Sequence, residues 1–228
     1  MAFETDLIVK SNHFVEEFLR DKLTDDMLYH DLQHTKEVSD AAEEIGRAEN
    51  LSDDELETVI ISALFHDTGY YQGSEQHEVI SKDIASDFLR DIGVKERKIT
   101  DISGCIIATK LPQRPTNKME EVLCDADLYH VANQNFFEKS ELLRKELVAT
   151  GETDLKDKKW RKKSLKFLKK HRFFTAYARE NLLPVKKENL SKLKTFLQEQ
   201  ELSLLADGDS TASLNAKSEK EDNKEKDN

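Results

Sequence analysis

Histidine and aspartate side chains recur in three places along this chain of 228 residues. Five of the seven histidines lie within the first 77 residues, and His66-Asp67 directly follows a strongly apolar run. Farther along, Asp125 and Asp127 interrupt a second apolar segment. A buried charge without a partner is strongly destabilising, and a divalent metal ion is a partner that both imidazole and carboxylate groups bind. These residues therefore predict a metal centre.

His30 and His34 are four residues apart, a spacing that places two side chains on one face of a helix. The zinc-protease motif uses the same spacing but has a glutamate directly after its first histidine, as the general base. This chain has the shorter Asp31 there, which argues against a protease. Asp125 and Asp127 are separated by about 200° around a helix, so we expect only one of them to face a given ion.

Each of these features also has a purely structural explanation. A histidine at the C-terminal end of a helix interacts favourably with the helix dipole, and an acidic residue in an apolar helix can cap it or pair with a lysine. The His30/His34 pair alone could be a coincidence on the surface. It is the joint occurrence of all three groups that favours a site.

The apolar pattern around these residues predicts helices throughout the chain. Ser52 and Glu55 form a capping box at the start of a helix whose wide apolar face indicates a central, buried position. We expect this helix to end at Thr68-Gly69 and Pro184 to separate the last two helices. Further helices are expected near residues 4–20, 29–50, 75–89, 96–109, 118–131, 136–150, 158–181 and 186–203.

The composition also favours an all-α fold. Hydrophobic residues make up 37% of the chain and charged residues 36%, with only seven glycines and three prolines, a balance typical of long helices. We expect one domain over residues 1–204, a helical bundle with additional C-terminal helices, and a disordered charged tail over residues 205–228. Cys105 and Cys124 lie in apolar contexts and are expected to be buried thiols.

The net charge of −11 argues against broad nucleic-acid binding and against attachment to a membrane surface. It does not exclude a phosphate substrate, because a metal ion and a few cations can reverse the local field. The sequence shows neither a leader peptide nor an apolar segment long enough to span a bilayer. A cytoplasmic location is therefore the default expectation, and the formation of a homodimer stays open.

The ordered set His34, His66-Asp67 and Asp127 resembles the H…HD…D motif of the HD superfamily of metal-dependent phosphohydrolases. Segments 29–35 (YHDLQHT) and 63–70 (ALFHDTGY) are similar to those of bacterial HD phosphohydrolases. The first segment also resembles the corresponding motif of eukaryotic cyclic-nucleotide phosphodiesterases. Segments 108–112, 124–128 and 167–175 resemble the same bacterial group, so the resemblance covers about residues 8–200.

The resemblance implies an all-α HD-domain fold and a divalent metal ion, whether Mn, Fe, Co, Ni, Zn or Mg. The ligands that it implies are His34, His66, Asp67 and Asp127, with Asp125 as the alternative to Asp127. It further implies that Asp67 faces the attacking water. Because the corresponding histidine of the phosphodiesterases donates a proton to the leaving oxygen, the same role is expected of His30.

Three further residues are expected to contact the substrate: His77, Lys110 and Arg114. His77 resembles a position where many HD enzymes place a second-metal ligand or a phosphate contact. Where two-metal members often carry another histidine, this chain has Thr109-Lys110, which favours one ion over two. Lys110 and Arg114 would instead supply positive charge to a phosphate; the alternative for each is an ordinary solvent-exposed position.

We therefore expect a metal-dependent phosphohydrolase acting on a small phosphate ester, such as a nucleotide, as a monoester or a cyclic diester. The alternative is an HD module that keeps its metal but binds ligands or regulates without significant catalysis. The presence of His30 beside the four implied ligands favours the enzyme. A hydrolase of guanosine tetraphosphate is disfavoured, because those enzymes carry a Glu-Asp pair where this chain has residues 68–71, Thr-Gly-Tyr-Tyr.

Overall fold

The computed structural model describes the backbone of residues 3–222 and the side chains of residues 3–202. Over these residues the fold is all-α, as predicted, and no β-strand is present in the part described. The α-helices are α1 (Asp6–Lys22), α2 (Leu32–Ala48), α3 (Asp53–Phe65), α4 (His77–Asp91), α5 (Glu96–Ala108), α6 (Lys118–Asp127), α7 (Phe136–Ala149), α8 (Asp157–Lys170) and α9 (Leu183–Asp222).

Helix α3 is the central element of the bundle. The predicted capping box at its start is confirmed: Ser52 accepts a hydrogen bond from the Glu55 backbone, and the Glu55 side chain accepts one from the Ser52 backbone. Nearly every residue from Leu56 to Phe65 is buried. One side of α3 packs into a core with α1, α4 and α5, and the other side packs into a second core with α2, α6 and the C-terminal helices. Both cores therefore hold in place the residues that follow α3.

The prediction that α3 ends at Thr68-Gly69 was wrong. The α-helix ends at Phe65, and residues Thr68–Gln72 form a 3₁₀ helix. Gly69 does not terminate the helix. It allows close approach instead, since a Cβ atom at this position would lie 2.4 Å from the carbonyl oxygen of His77 and 2.7 Å from Cβ of Ile80. The glycine lets the start of α4 pack directly against the chain that leaves α3.

The start of α2 also differs from the prediction. Asp31 is the N-cap, and its carboxylate accepts a hydrogen bond from the backbone N–H of His34. An aspartate at this position satisfies a backbone donor that has no partner within the helix. His30 therefore precedes the helix, and His30 and His34 do not share one helical face.

The predicted break at Pro184 was wrong as well. The chain is extended around residues 171–174, and helical structure resumes before a π-helical turn at Ala178–Leu182 that leads straight into α9. Pro184 is the second residue of α9 and directly follows the π-helical turn, where the regular hydrogen-bond pattern of an α-helix is already interrupted. The predicted disordered tail, residues 205–228, lies outside the residues whose side chains are described, and that prediction stays untested.

Two other expectations concern the whole molecule. Cys105 and Cys124 are free and buried, as the sequence predicted. None of the helices in the described part of the chain has the length and apolar character needed to cross a membrane.

Candidate metal centre

Three side chains from three helical segments meet beside the C-terminal end of α3. His34 comes from the first turn of α2, His66 directly follows α3, and Asp127 is the last residue of α6. Each offers one ligand atom, and these atoms all lie within 4.8 Å of one another. The structure thus brings together three of the four residues that the sequence suggested as metal ligands.

The two histidines are almost fully buried, with 3% of His34 and 1% of His66 exposed. Their Nε2 atoms nevertheless make no hydrogen bond to any residue in the described part of the chain. A buried polar atom without a partner costs free energy, and native proteins rarely leave such atoms unsatisfied. Two such atoms, side by side and next to a carboxylate, form a donor set that fits a divalent metal ion.

Asp67 lies against this pair of imidazoles. Its Oδ2 atom is 3.0 Å from Nε2 of His66 and 3.3 Å from Nε2 of His34, without the geometry of a hydrogen bond to either. Its Oδ1 atom is 3.4 Å from Nε2 of His77. Asp67 is therefore placed to join the three-residue group as a fourth ligand.

The charges of the cluster favour a cation. Burial alone would lower the pKa of His66, but the negative charges of Asp67 and Asp127 raise it to about 9. Burial would likewise raise the pKa of Asp67, yet the charge of the neighbouring His66, together with the close imidazole of His34, holds that pKa well below its usual range. The negative charges of the two carboxylates therefore favour a cation at the point where the imidazole Nε2 atoms converge.

Asp125 and Asp127 face different parts of the molecule, as their spacing predicted. The Asp125 carboxylate accepts hydrogen bonds from the backbone N–H of Phe174 at 3.0 Å and from both the N–H and the hydroxyl of Thr175 at 2.8 Å. It therefore holds the extended segment before α9 in place. Asp127 is the member of the pair that joins the histidines, and it also accepts a hydrogen bond from Gln113 at 3.3 Å.

His30 lies beside the cluster. Its Nε2 atom is 3.8 Å from Oδ2 of Asp67, and its ring stacks on Tyr70 with 3.6 Å between ring centroids. On the other side of the ring, Nδ1 makes a very short contact with Oε1 of Glu146. The imidazole is thus fixed by two neighbours, with Nε2 directed toward the candidate metal centre.

Glu146 is the residue that the sequence analysis missed. It is a fully buried glutamate of α7, and Oε2 accepts hydrogen bonds from the backbone N–H groups of Tyr29 at 2.6 Å and His30 at 2.9 Å. Burial would raise its pKa, but the bonds from His30 lower it, so the carboxylate stays ionised. Its partner lies 116 positions earlier in the chain, so no local pattern identifies it.

The three residues expected to contact substrate are placed differently. His77 lies at the start of α4, beside Asp67, and its Nδ1 donates to the carbonyl oxygen of Ser74 at 2.8 Å. Burial opposes a charge on His77, but the hydrogen bond to Asp67 raises its pKa to about 9. Lys110 and Arg114 are exposed, in the segment between α5 and α6 that also carries Gln113. Because Gln113 contacts Asp127, this segment borders the cluster.

Comparison with known proteins agrees with this description. The family model for the HD domain matches residues 31–132. Among solved structures, a predicted HD superfamily hydrolase from an uncultured Thermotogales bacterium is 20% identical in sequence, with a TM-score of 0.54 over 84% of this chain and 92% of that protein. No curated protein sequence matches the chain significantly.

Two further structures share the fold. Bacillus subtilis YpgQ, solved in complex with ADP, is 18% identical, with a TM-score of 0.58 over 86% of this chain and 97% of YpgQ. A Lactobacillus plantarum protein is 14% identical, with a TM-score of 0.54 over 89% of this chain and 99% of that protein. The matched domain contains His34, His66, Asp67 and Asp127. Residues 31–132 thus match the HD-domain model, and the His/Asp cluster lies within the matched residues.

Proposed function

We propose that this protein is a metal-dependent phosphohydrolase of the HD superfamily that acts on a nucleotide or a related phosphate ester, as a monoester or a cyclic diester. The observation that carries the proposal is the pair of buried Nε2 atoms of His34 and His66, which make no hydrogen bond within the described residues and lie beside Asp127. A structural cluster would satisfy these atoms with protein partners. A metal ion would satisfy them and would be available for chemistry.

The four residues that would hold the ion are His34, His66, Asp67 and Asp127. Imidazole and carboxylate ligands together suit Mn, Fe, Co, Ni or Zn, and carboxylates also suit Mg. Such an ion, when bound, lowers the pKa of water and polarises a phosphoryl oxygen. This chain has Thr109-Lys110 where two-metal HD enzymes often carry another histidine. This difference favours a single ion.

The chain itself supplies the groups that handle protons. Nδ1 of His30 is bound to the carboxylate of Glu146. The proton that His30 would exchange with a substrate is therefore the one on Nε2. Because Glu146 is buried and also binds the backbone N–H of His30, it fixes the orientation of the imidazole. His30 is thus placed to give a proton to the leaving oxygen, the step that general acid catalysis requires.

Other residues would bind and orient the phosphate. Lys110 and Arg114 provide the exposed positive charges next to Gln113, and His77 carries a raised pKa that favours its charged form. These cations would offset the repulsion between an anionic substrate and a protein of net charge −11. The complex of YpgQ with ADP supports a nucleotide as the kind of phosphate that this fold accommodates.

The test is a panel of nucleoside monophosphates, diphosphates and cyclic nucleotides, each incubated with Mn, Co, Ni, Zn or Mg. We expect phosphate ester hydrolysis with at least one ion and its loss in the His66→Ala/Asp67→Ala double variant, with folding followed by circular dichroism. His13→Ala is the matched control, because His13 lies on α1 with 72% of its side chain exposed. Bound metal without hydrolysis of any phosphate would contradict the enzyme and favour a ligand-binding HD module.

A further inference from the structure

A cavity of about 170 Å³ lies next to the candidate metal centre, between α2, α6 and the residues that follow α6. His34 and Asp127 form one wall, so a group in the cavity would be adjacent to the ion. His30, Asp67 and His77 do not line it. The cavity therefore adjoins the candidate metal centre at His34 and Asp127.

Carboxylates are prominent among the polar residues that line the cavity. Besides Asp127, three carboxylates from successive turns of α2 line it: Glu37, Asp40 and Glu44. None of the residues that line the cavity is a lysine or an arginine. His130 also lines it, and burial lowers the pKa of that imidazole to about 3, so it carries no charge at neutral pH.

Part of this negative charge is already paired and part is free. Glu37 forms a salt bridge with Lys139 at 2.8 Å, and Glu44 accepts a hydrogen bond from the hydroxyl of Tyr177. Asp40 makes neither a salt bridge nor a side-chain hydrogen bond within the described residues, and burial raises its pKa. Asp40 is thus the carboxylate of this wall whose charge is still available to a ligand.

An uncharged acceptor is available as well. Asn135 lines the cavity, and its Oδ1 atom is buried and accepts no hydrogen bond. Since a buried acceptor without a partner costs free energy, a ligand that donates to Asn135 would gain affinity. The same ligand would lose affinity if it brought a negative charge close to Asp40.

We propose that this cavity binds the organic part of the phosphate ester, and that this part donates hydrogen bonds and carries no negative charge. This inference rests on the proposed function and narrows its substrate class. An amine, or a sugar or base with hydroxyl and amino groups, fits the description. A phosphate ester with a carboxylate or a second phosphate on its organic part does not.

Two small phosphates of similar size test the inference: 2-aminoethyl phosphate, whose organic part carries an ammonium group, and phosphoglycolate, whose organic part carries a carboxylate. Binding of each to the Mn-loaded full-length protein is measured by isothermal titration calorimetry. We expect aminoethyl phosphate to bind at least about tenfold more tightly, and Asp40→Asn to remove most of this ratio, because losing one unit charge weakens the attraction to the ammonium group and the repulsion of the carboxylate by about fivefold each at contact distance in water. Asp87→Asn, an exposed substitution on α4, should leave the ratio unchanged.

Equal affinities for the two phosphates, failure of both to bind, or a ratio that Asp40→Asn leaves unchanged would overturn the inference. Hydrolysis of the two phosphates is measured separately. A protein that shows the binding preference but hydrolyses no phosphate contradicts only the proposed function. A protein that hydrolyses both with equal kcat/KM contradicts only the inference about the cavity.

Discussion

The carboxylate of Glu146 is bound to both the backbone and the side chain of His30: Oε2 accepts from the backbone N–H at 2.9 Å, and Oε1 contacts Nδ1 of the ring. His30 lies one residue before the start of the matched HD domain, and Glu146 lies on α7, beyond the end of that domain. A helix outside the matched region thus fixes the position of the residue that we propose as the proton donor.

Replacing Glu146 by glutamine should lower kcat about tenfold while the metal content stays the same. The amide keeps an acceptor for the two backbone N–H groups but replaces the charged partner of the His30 ring by a neutral one, so the ring is oriented less firmly. His30→Gln should lower kcat by about 100-fold, the usual contribution of a general acid. The measurements are steady-state kinetics and metal analysis, with Glu141→Gln, which pairs with Arg144 on the same helix, as the control. An unchanged kcat in His30→Gln would contradict the role of proton donor.

Asp127→Asn and Asp125→Asn should have opposite consequences. Asp127 faces the histidines, so its substitution should strip or strongly weaken metal binding, with a small effect on folding. Asp125 accepts three hydrogen bonds from residues 174 and 175. Its substitution should cost about 2 kcal/mol of stability, since hydrogen bonds to a charged group are worth about 1.5–3 kcal/mol, and should leave the metal bound. Metal analysis and urea unfolding of both variants test this prediction. Loss of metal in Asp125→Asn but not in Asp127→Asn would contradict it.

Gly69→Ala should destabilise the protein by about 1–3 kcal/mol, the usual cost of overpacking. The added methyl group would lie 2.4 Å from the His77 carbonyl oxygen, so α4 would have to shift. Gly104→Ala is the control: on α5, its Cβ would approach a side-chain oxygen of Glu120 at 3.3 Å, and alanine is the better helix former. Thermal unfolding would distinguish the two, and equal melting temperatures would contradict the close approach at Gly69.

Lys110→Ala and Arg114→Ala should each raise KM for a phosphate substrate severalfold with little change in kcat. Both residues would attract the phosphate without taking part in proton transfer, and an interaction that binds substrate and transition state equally changes KM alone. Lys118→Ala is the matched control, because Lys118 already pairs with Glu49 at 2.8 Å. A KM unaffected by both substitutions would show that these two residues are ordinary surface positions.

His171 should make the fold sensitive to acid. Burial, followed by the nearby charges of Lys186 and Arg172, lowers its pKa to about 3, whereas the unfolded chain takes up a proton near pH 6.5. The unfolded state therefore binds more protons between these values, and stability falls as the pH drops from about 6.5 toward 3, by up to about 1.4 kcal/mol per pH unit.

His171→Gln tests this expectation. Nδ1 of His171 lies 3.0 Å from Nζ of Lys186, and glutamine retains an oxygen that can accept from the same ammonium group. Urea unfolding at pH 4, 5, 6 and 7 should show a flatter decline for the variant than for the unmodified protein. Identical slopes would exclude His171 as a cause of acid sensitivity. His13→Gln, at an exposed position on α1, serves as the control.

Much of the fold follows from features that are local in sequence. The capping box at Ser52 and Glu55 and the wide apolar run after it located α3, and the 200° separation of Asp125 and Asp127 correctly placed their carboxylates on different sides of α6. Such features depend on helical geometry alone. The grouping of His34, His66 and Asp127, in contrast, was indicated by the resemblance to the H…HD…D motif and not by helical geometry.

The features that were not predicted depend on distant contacts or on competition between nearby residues. Asp31 is a better N-cap than His30, so α2 begins after both, although helical spacing of the two histidines suggested otherwise. Position 69 needs a glycine because α4 packs closely against it, and the sequence around Gly69 does not reveal this contact. Glu146 meets a segment more than 100 residues away. The last two outcomes are determined by tertiary packing.

Helix α6 has a mechanical consequence for the site. It is ten residues long, and its two aspartates point to different sides: the buried Asp125 to the segment that leads into α9, and the half-buried Asp127 to the histidines. A rotation of this short helix about its axis would displace both carboxylates together. The docking of the C-terminal helices and the geometry of the metal centre are therefore set by one rigid body, and neither can be readjusted without the other.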